Sequence, residues 1–433
     1  MFRKILQIVL KNLARQVTKR YQPQIIGITG SVGKTTAKEA IIKVLSFKYR
    51  VRGNIKNYNN EIGLPLTILG LESPGKSLTG WLKVFIKSIG LITFKQKDYP
   101  EFLVLEMGVD RPMDMTYLLS IIKPNSGVVT TIGQAHLEFF GTQDAIAEEK
   151  GKLIAGLPNN GFAILNIDDK RVAAMASSSQ AKIVTYGFDS KAEVRASDLS
   201  LNYEQISKLS SDNLPGLMFK LNYQGSIVPV AMPSIISEAA VYSALAAASI
   251  GVKYGLSLLD ISEALRDFRP PKGRLNALPG SRARIILDDT YNASPTSVVA
   301  ALNILGRLPA SSKEQRVAVL GDMLELGIDG PAEHRRIGQI IAKLPIGQII
   351  LVGQLAKLIG EEAQANGWKG KINFFDNSIQ AIKEIDDLIP EGATVLLKGS
   401  QGMRIERLTK ALLVDSSRAA DWLVRQDGAW LDS

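Results

Sequence analysis

The residues of this chain best suited to chemistry run from Gly30 to Thr36 and read Gly-Ser-Val-Gly-Lys-Thr-Thr. Gly30 and Gly33 let a backbone approach a polyphosphate closely. The N–H groups of Ser31, Val32 and the residues on to Thr36 face an anion if a helix starts here, Lys34 adds a point charge, and the Thr35 hydroxyl suits Mg²⁺. The longer P-loop pattern has its first glycine where this chain has Ile28, so the match is the shorter G-x-x-G-K-T. The implied chemistry is binding of ATP or GTP. Glu106 extends the set: it ends the apolar run 102–105, and a carboxylate buried there needs a cation, which beside a triphosphate is Mg²⁺. His136, one of 2 histidines, lies just past the apolar run 126–132 and is a second candidate metal ligand. Residues 53–67 are dense in Asn, Gly and Pro, which marks a shaped loop whose Asn57, Asn59 and Asn60 offer donors and acceptors to a substrate.

Such residues need rigid elements beneath them. Ile25 to Ile28 reads as a buried parallel strand and 37–42 as the helix after the loop, which is the strand, turn and helix start that a phosphate site requires. Further apolar runs at 102–108, 126–132 and 162–167 alternate with helical stretches, and 194–230 alternates like antiparallel strands with Gly/Asn turns. Residues 235–251 form an Ala-rich helix ended by Gly251. Pro270 and Pro271 then break the chain into a linker, after which runs at 285–288, 317–320, 349–352 and 394–397 begin a new βαβ series. The expected architecture is α/β: a basic amphipathic helix over 1–22, a central P-loop domain with a mostly parallel sheet over 23–272, and a smaller doubly wound, Rossmann-like domain over 273–433.

Composition bounds the function. Cysteine is absent, which excludes a disulfide framework, a Cys-based zinc site and a thiol nucleophile, and suits the cytosol. No run of about 18 apolar residues exists to span a bilayer, and the N-terminus lacks a secretory h-region. The net charge is +10, and residues 1–56 hold 13 Lys/Arg against Glu39, which points to an acidic partner. No nucleic-acid motif accompanies that charge, so nucleic acid is not expected. In 2–20, Phe2, Ile5, Leu6, Val9, Leu10, Leu13 and Val17 share one helical face ringed by basic residues. That face either docks on the first domain or gives peripheral contact with an anionic membrane surface. A second apolar, basic segment spans 79–94 and is too short and too charged to cross a bilayer. A cytoplasmic monomer is expected.

In order and spacing, segments 29–36, 57–67, 106–108, 135–138, 288–293, 321–327 and 398–400 resemble the Mur ligase family over about residues 24–410, and within it the branch that handles D-alanyl-D-alanine. The resemblance implies that Lys34 and Thr35 hold the phosphates of ATP and a first Mg²⁺, and that Glu106 and His136 serve the Mg²⁺ sites. It implies that Lys150 matches a lysine that family members often carry as a carbamate, although by itself the run 148–152 reads as a solvated charged face. Arg274 would reach the γ-phosphate from the linker, Asn292 would face the adenine and Asp322 the ribose. The implied reaction joins D-alanyl-D-alanine to a muramoyl-tripeptide in peptidoglycan precursor synthesis, through an acyl phosphate that the incoming amine attacks. One departure is large: family ligases hold the UDP-sugar in an N-terminal domain, whereas here the P-loop strand begins near residue 24. That domain is expected to be missing, with the UDP moiety held by another chain, unrecognised, or replaced by a lipid-linked intermediate. A related amide ligase, folylpolyglutamate-synthase-like or amidotransferase-subunit-like, is the second reading; the 57–67 loop opposes it. A nucleotide-binding scaffold is the third and would need a damaged metal site.

Overall fold

The computed structural model describes residues 2–55, 58–133, 137–202, 216–233, 235–308, 310–427 and 430. The described residues group into two compact units, the first from 1–199, 218–231 and 238–268, the second from 200–217, 232–237 and 269–433.

In the first unit, helix α1 (Phe2–Tyr21) leads into β1 (Gln24–Thr29), α2 (Lys34–Leu45), β2 (Val51–Gly53), α3 (Gly63–Leu69), α4 (Leu78–Thr93), β3 (Phe102–Glu106), α5 (Asp114–Ile121) and β4 (Ser126–Val129). The chain continues through α6 (Leu137–Phe140), α7 (Gln143–Ala155), β5 (Phe162–Asn166), α8 (Lys170–Ala174), β6 (Lys182–Gly187), then β7 (Val194–Asn202), β8 (Gly216–Tyr223) and β9 (Ser226–Pro233), whose end residues 200–202, 216–217 and 232–233 are grouped with the second unit, and returns in α9 (Glu238–Lys253) and α10 (Leu258–Arg266). The sheet order is β2-β3-β1-β4-β5-β6-β7-β8-β9. Strands β1 to β6 pair in parallel, and the central strands β1, β3, β4 and β5 are almost continuously buried rather than alternating. The chain turns back between β8 and β9 at Gln224 and Gly225, both with positive φ, as a two-residue hairpin needs. Alanines and Gly251 let α9 sit tightly on α2: a Cβ at Gly251 would lie 2.9 Å from Val44 Cγ1. Register then sets the site. Ile28 lies opposite Glu106 and Thr29 opposite Val129, so the loop after β1 emerges between the carboxyl ends of β3 and β4, where open α/β sheets bind ligands.

In the second unit the order is β10 (Asn276–Pro279), β11 (Ile285–Asp289), β15 (Thr394–Lys398), β12 (Arg316–Gly321), β13 (Gln348–Val352) and β14 (Lys371–Phe375), with β10 antiparallel and the rest parallel. Alternate residues feed two cores. Leu287, Leu320 and Leu351 meet α11 (Pro295–Arg307), α12 (Gly330–Ile341) and α13 (Lys357–Ala365), while Ile286, Val319 and Val395 meet α14 (Ser378–Ile382), α15 (Ile385–Leu388) and α16 (Glu406–Leu412). Two buried faces make this unit doubly wound.

Helix α1 is docked. Leu6, Leu10, Ala14 and Val17 are buried in one core with Leu64, Leu66, Trp81 and Val84, and Leu13 packs against it half-buried. Of the two readings of this face, docking on the first unit is the one seen over most of its length, although Ile5 and Val9 remain exposed. Leu10→Ala is expected to lower unfolding stability by about 2–5 kcal/mol in urea titration, because Leu10 is 0% exposed and truncation leaves a cavity. No described helix is long and apolar enough to cross a membrane.

Candidate active site

The chain leaves β1 through Gly30, whose φ is 145° and where a Cβ would lie 2.0 Å from Thr130 Oγ1, a position closed to other residues. Gly33, with φ 85°, opens α2 without a side-chain cap, leaving first-turn N–H groups to a ligand. The end of β4 clamps the loop: Thr130 Oγ1 donates to the Val32 carbonyl (2.6 Å) and the Ser31 N–H donates to the Thr131 carbonyl (2.7 Å). Ser31 Oγ is buried with no hydrogen-bond partner. A hydroxyl left unpaired is costly, and a phosphate oxygen would satisfy it. Lys34 Nζ folds back to donate to the Gly30 carbonyl at 2.9 Å, and Thr36 belongs to the first turn of α2.

Glu106 is 6% exposed and receives a bond on each oxygen, from Thr35 Oγ1 at 2.9 Å and from Asn59 Nδ2 at 3.2 Å. Asn54, which the sequence did not single out, pins the polar loop to this strand. Its Oδ1 accepts from the Glu106 N–H (2.5 Å), and its Nδ2 donates to the carbonyls of Tyr58 (2.6 Å) and Glu106 (3.3 Å). Gly108 leaves the room Asn59 needs, since a Cβ there would be 2.9 Å from Asn59 Cγ. Asn60 differs: its Oδ1 accepts from the N–H groups of Ile62 (3.2 Å) and Gly63 (2.9 Å), and so starts α3. Asn57 and His136 lie outside the described residues.

Lys150, on α7, is 1% exposed and donates to the Val109 carbonyl at 3.3 Å. Burial, helped by the nearby Lys34 charge and opposed by Asp110, Glu149 and Asp114, brings its pKa down to about 7. Glu149 is also buried; it accepts from the Met115 N–H (3.0 Å) and pairs with Lys152 (2.6 Å). The solvated-face reading of 148–152 is thus wrong for Glu149 and Lys150, because α7 turns both inward. Beyond the loop, Asp169 Oδ2 accepts from the Ile132 N–H (2.8 Å), Asn166 Nδ2 donates to the Thr130 carbonyl (3.1 Å), and both line a polar hollow with Asp168 and Tyr242.

The second unit holds its own polar cluster at the ends of β11 and β15. The Arg274 guanidinium lies 4.0 Å from the centroid of the Tyr291 ring, a cation–π contact. Lys398 is buried and donates to Asp289 Oδ2 (2.6 Å) and the Asn292 carbonyl (3.0 Å). Burial lowers its pKa, with Asp289 opposing and Arg274 assisting. Asn292 Oδ1 accepts from the Ala293 N–H at 2.9 Å. Asp322 Oδ1 accepts from the Ala356 N–H at 2.6 Å, and a Cβ on Gly353 would fall 2.5 Å from that oxygen. His334, the other histidine, is buried with both nitrogens used: Nδ1 donates to the Gly330 carbonyl (2.7 Å) and Nε2 accepts from the Met323 N–H (3.0 Å). Its role is structural. Lys398, Asp289 and Tyr291 were missed as individual site residues; the available signal was a lysine closing an apolar strand just before Gly399-Ser400.

Comparison with known proteins bears on the family of the chain. The Mur ligase middle domain matches residues 28–79 and 86–250, and the domain described as "Mur ligase, glutamate ligase domain" matches 273–401. The UDP-N-acetylmuramoyl-tripeptide--D-alanyl-D-alanine ligase of Bacillus subtilis is 29% identical over 93% of this chain and 79% of its own length. A crystal structure of MurF from Acinetobacter baumannii superimposes with a TM-score of 0.76 at 27% identity, covering 93% of this chain and 79% of that one. The MurF ligase from Thermotoga maritima in complex with ADP gives 0.72 at 26%, covering 94% and 83%. With its middle domain and its C-terminal domain both matched, the chain belongs to the Mur ligase family.

Proposed function

We propose that this chain is an ATP-dependent carbon–nitrogen ligase of peptidoglycan precursor synthesis that joins D-alanyl-D-alanine to a muramoyl-tripeptide and releases ADP and phosphate. The observation that carries this reading is the run of contacts Thr35–Glu106–Asn59 at the mouth of the phosphate loop, in a fold whose relatives bear that activity in their names.

Among the described residues no three His, Asp or Glu side chains gather into a metal cluster. The Thr35 hydroxyl and the Glu106 carboxylate are nevertheless hard oxygen donors of the kind Mg²⁺ takes while keeping water and phosphate ligands, and His136 is assigned as a further ligand on the family resemblance alone. Bound there, Mg²⁺ would neutralise charge on the phosphates. The chain's own work is positioning. Lys34 and the backbone from Gly30 to Thr36 hold the phosphates, Arg274 is assigned to the γ-phosphate, Asn292 to the adenine and Asp322 to the ribose. Asn57, Asn59 and Asn60 are assigned to the acceptor, with half of Asn60's amide already engaged at α3. A substrate carboxylate oxygen attacks the γ-phosphorus and ADP leaves; the amine then attacks the acyl carbon, phosphate departs with that oxygen, and the amine's proton is lost. Little covalent chemistry falls to the protein, so charge neutralisation and orientation dominate. The assigned setting is the cytoplasm, as a monomer acting on small molecules.

Lys150 is assigned as a carbamate. With its pKa near 7, the neutral amine that attacks CO₂ grows as pH rises through 7, giving an anion and releasing a proton. Bicarbonate is therefore expected to stimulate ADP formation above about pH 7 and to lose its effect below. Full activity of Lys150→Ala, with the parent enzyme indifferent to bicarbonate, would remove the carbamate.

The function is tested by ADP release with UDP-muramoyl-tripeptide plus D-alanyl-D-alanine, against dihydrofolate plus glutamate. ADP is expected with the first pair, and only when both members are present. ADP with the folate pair alone would overturn the assignment.

A further inference from the structure

Helix α4 buries one face and leaves a second apolar face open. Trp81, Val84, Ser88 and Leu91 point into the core, while Leu78, Leu82, Ile86 and Ile89 stand 56–73% exposed and Phe94, just past the helix, 74% exposed. Spacings of four, four and three place the four aliphatics in one stripe along the helix. A row of large aliphatics facing water is an interaction surface rather than scattered exposure. Residues 73–97 carry five lysines, Lys76, Lys83, Lys87, Lys95 and Lys97, all exposed, and no acid. Helix α1 packs beside α4: Arg20 Nη2 donates to the Thr93 carbonyl (3.2 Å) and the Tyr21 hydroxyl to the Leu91 carbonyl (3.0 Å). It adds exposed Ile5, Ile8 and Val9, and its residues 1–20 hold six basic side chains and no acid. The middle-domain match is interrupted over residues 80–85, inside α4.

We propose that the first unit docks on an anionic lipid surface through the exposed stripe of α4, with the exposed lysines in and flanking that helix beside it. Aliphatic side chains beside lysines and free of acids match the boundary between acyl chains and anionic headgroups, where lysine stems lie along the apolar layer and their ammonium groups reach the phosphates. A second copy of this chain fits poorly, since pairing the face with itself would oppose two sets of positive charge. The docked part of α1 is not the inserting face; that role belongs to α4. This inference does not depend on the ligase assignment, because it needs neither nucleotide nor acceptor.

The test is co-sedimentation of the full chain with phosphatidylcholine vesicles, with and without phosphatidylglycerol, at low and high salt, alongside Leu82→Glu/Ile86→Glu and Lys83→Glu/Lys87→Glu. The parent is expected to pellet with the anionic vesicles at low salt and much less at high salt. The apolar-to-acid pair should lose about tenfold or more in partitioning. Each lysine is worth about fivefold at an anionic surface, so reversing two should cost at least as much. All three proteins should form ADP equally in solution, so failure of lipid binding stays distinct from failure of the ligase reading. A parent that stays in the supernatant with anionic vesicles, or variants that pellet like the parent, would overturn the proposal. So would a dimer in light scattering that Leu82→Glu/Ile86→Glu converts to monomer, which would assign the face to self-association.

Discussion

Lys34→Ala is expected to lower kcat/KM for ADP formation by roughly a thousandfold or more, the scale on which removing a charge from a transferring phosphoryl group is felt, with an unfolding temperature close to the parent's. Lys34 begins α2 and reaches back to the Gly30 carbonyl rather than filling the core, so alanine leaves packing intact while the phosphate loop loses its lysine charge. A second consequence separates this effect from general damage. After burial, the Lys34 charge is what helps to bring the Lys150 pKa down to about 7, so its removal lets that pKa rise and moves bicarbonate stimulation to higher pH. Near-parental turnover would sink the nucleotide assignment.

Glu106→Gln is expected to raise the Mg²⁺ concentration needed for half-maximal activity by about tenfold or more, and to lower kcat/KM with it, because the amide keeps the shape but loses the charge that attracts a hard cation. The fold should survive. Asn54 bonds the backbone of Glu106 rather than its carboxylate, and the retained side-chain oxygen can still accept from Asn59. Titrating ADP formation with Mg²⁺ measures the shift, and an unchanged half-saturation point would take Glu106 out of the metal site.

What was legible in the sequence followed from physics that is local. The phosphate loop could be read because glycine at Gly30 and Gly33 is a backbone requirement, and Glu106 because a carboxylate ending an apolar strand has few innocent explanations. The buried parallel strands β1, β3, β4, β5, β11, β12, β13 and β15 stood out as apolar runs for the same reason, whereas β2, with three half-buried residues, and β6, with only half its positions buried, did not. Strand β14 did not: it is an edge strand, Lys-Ile-Asn-Phe-Phe, with most positions at least partly exposed, and so lacks the run that marks a buried strand. Strand β10 is four residues ending in proline, too short to register. Partners far apart in sequence were also hidden. Asn54 finds Glu106 across 52 residues, and Arg425 reaches the buried Glu406 across 19, neither of which spacing can announce. The inward turn of Lys150 was not legible, because Glu148-Glu149-Lys150 in isolation looks like solvent-facing helix; family resemblance singled out the residue but not its burial. For α1 the amphipathic face was plain, but which surface covers it was not, since a core and a membrane select the same pattern.

The central claim is that ATP activates a carboxylate as an acyl phosphate before the amide forms. It is tested most directly by supplying the muramoyl-tripeptide with its reacting carboxylate labelled with ¹⁸O, together with ATP and unlabelled D-alanyl-D-alanine, and weighing the released phosphate and the product by mass spectrometry. The account predicts an ¹⁸O atom in the inorganic phosphate for each amide formed, with the remaining label in the new amide carbonyl. Amide product with no label in the phosphate would contradict it.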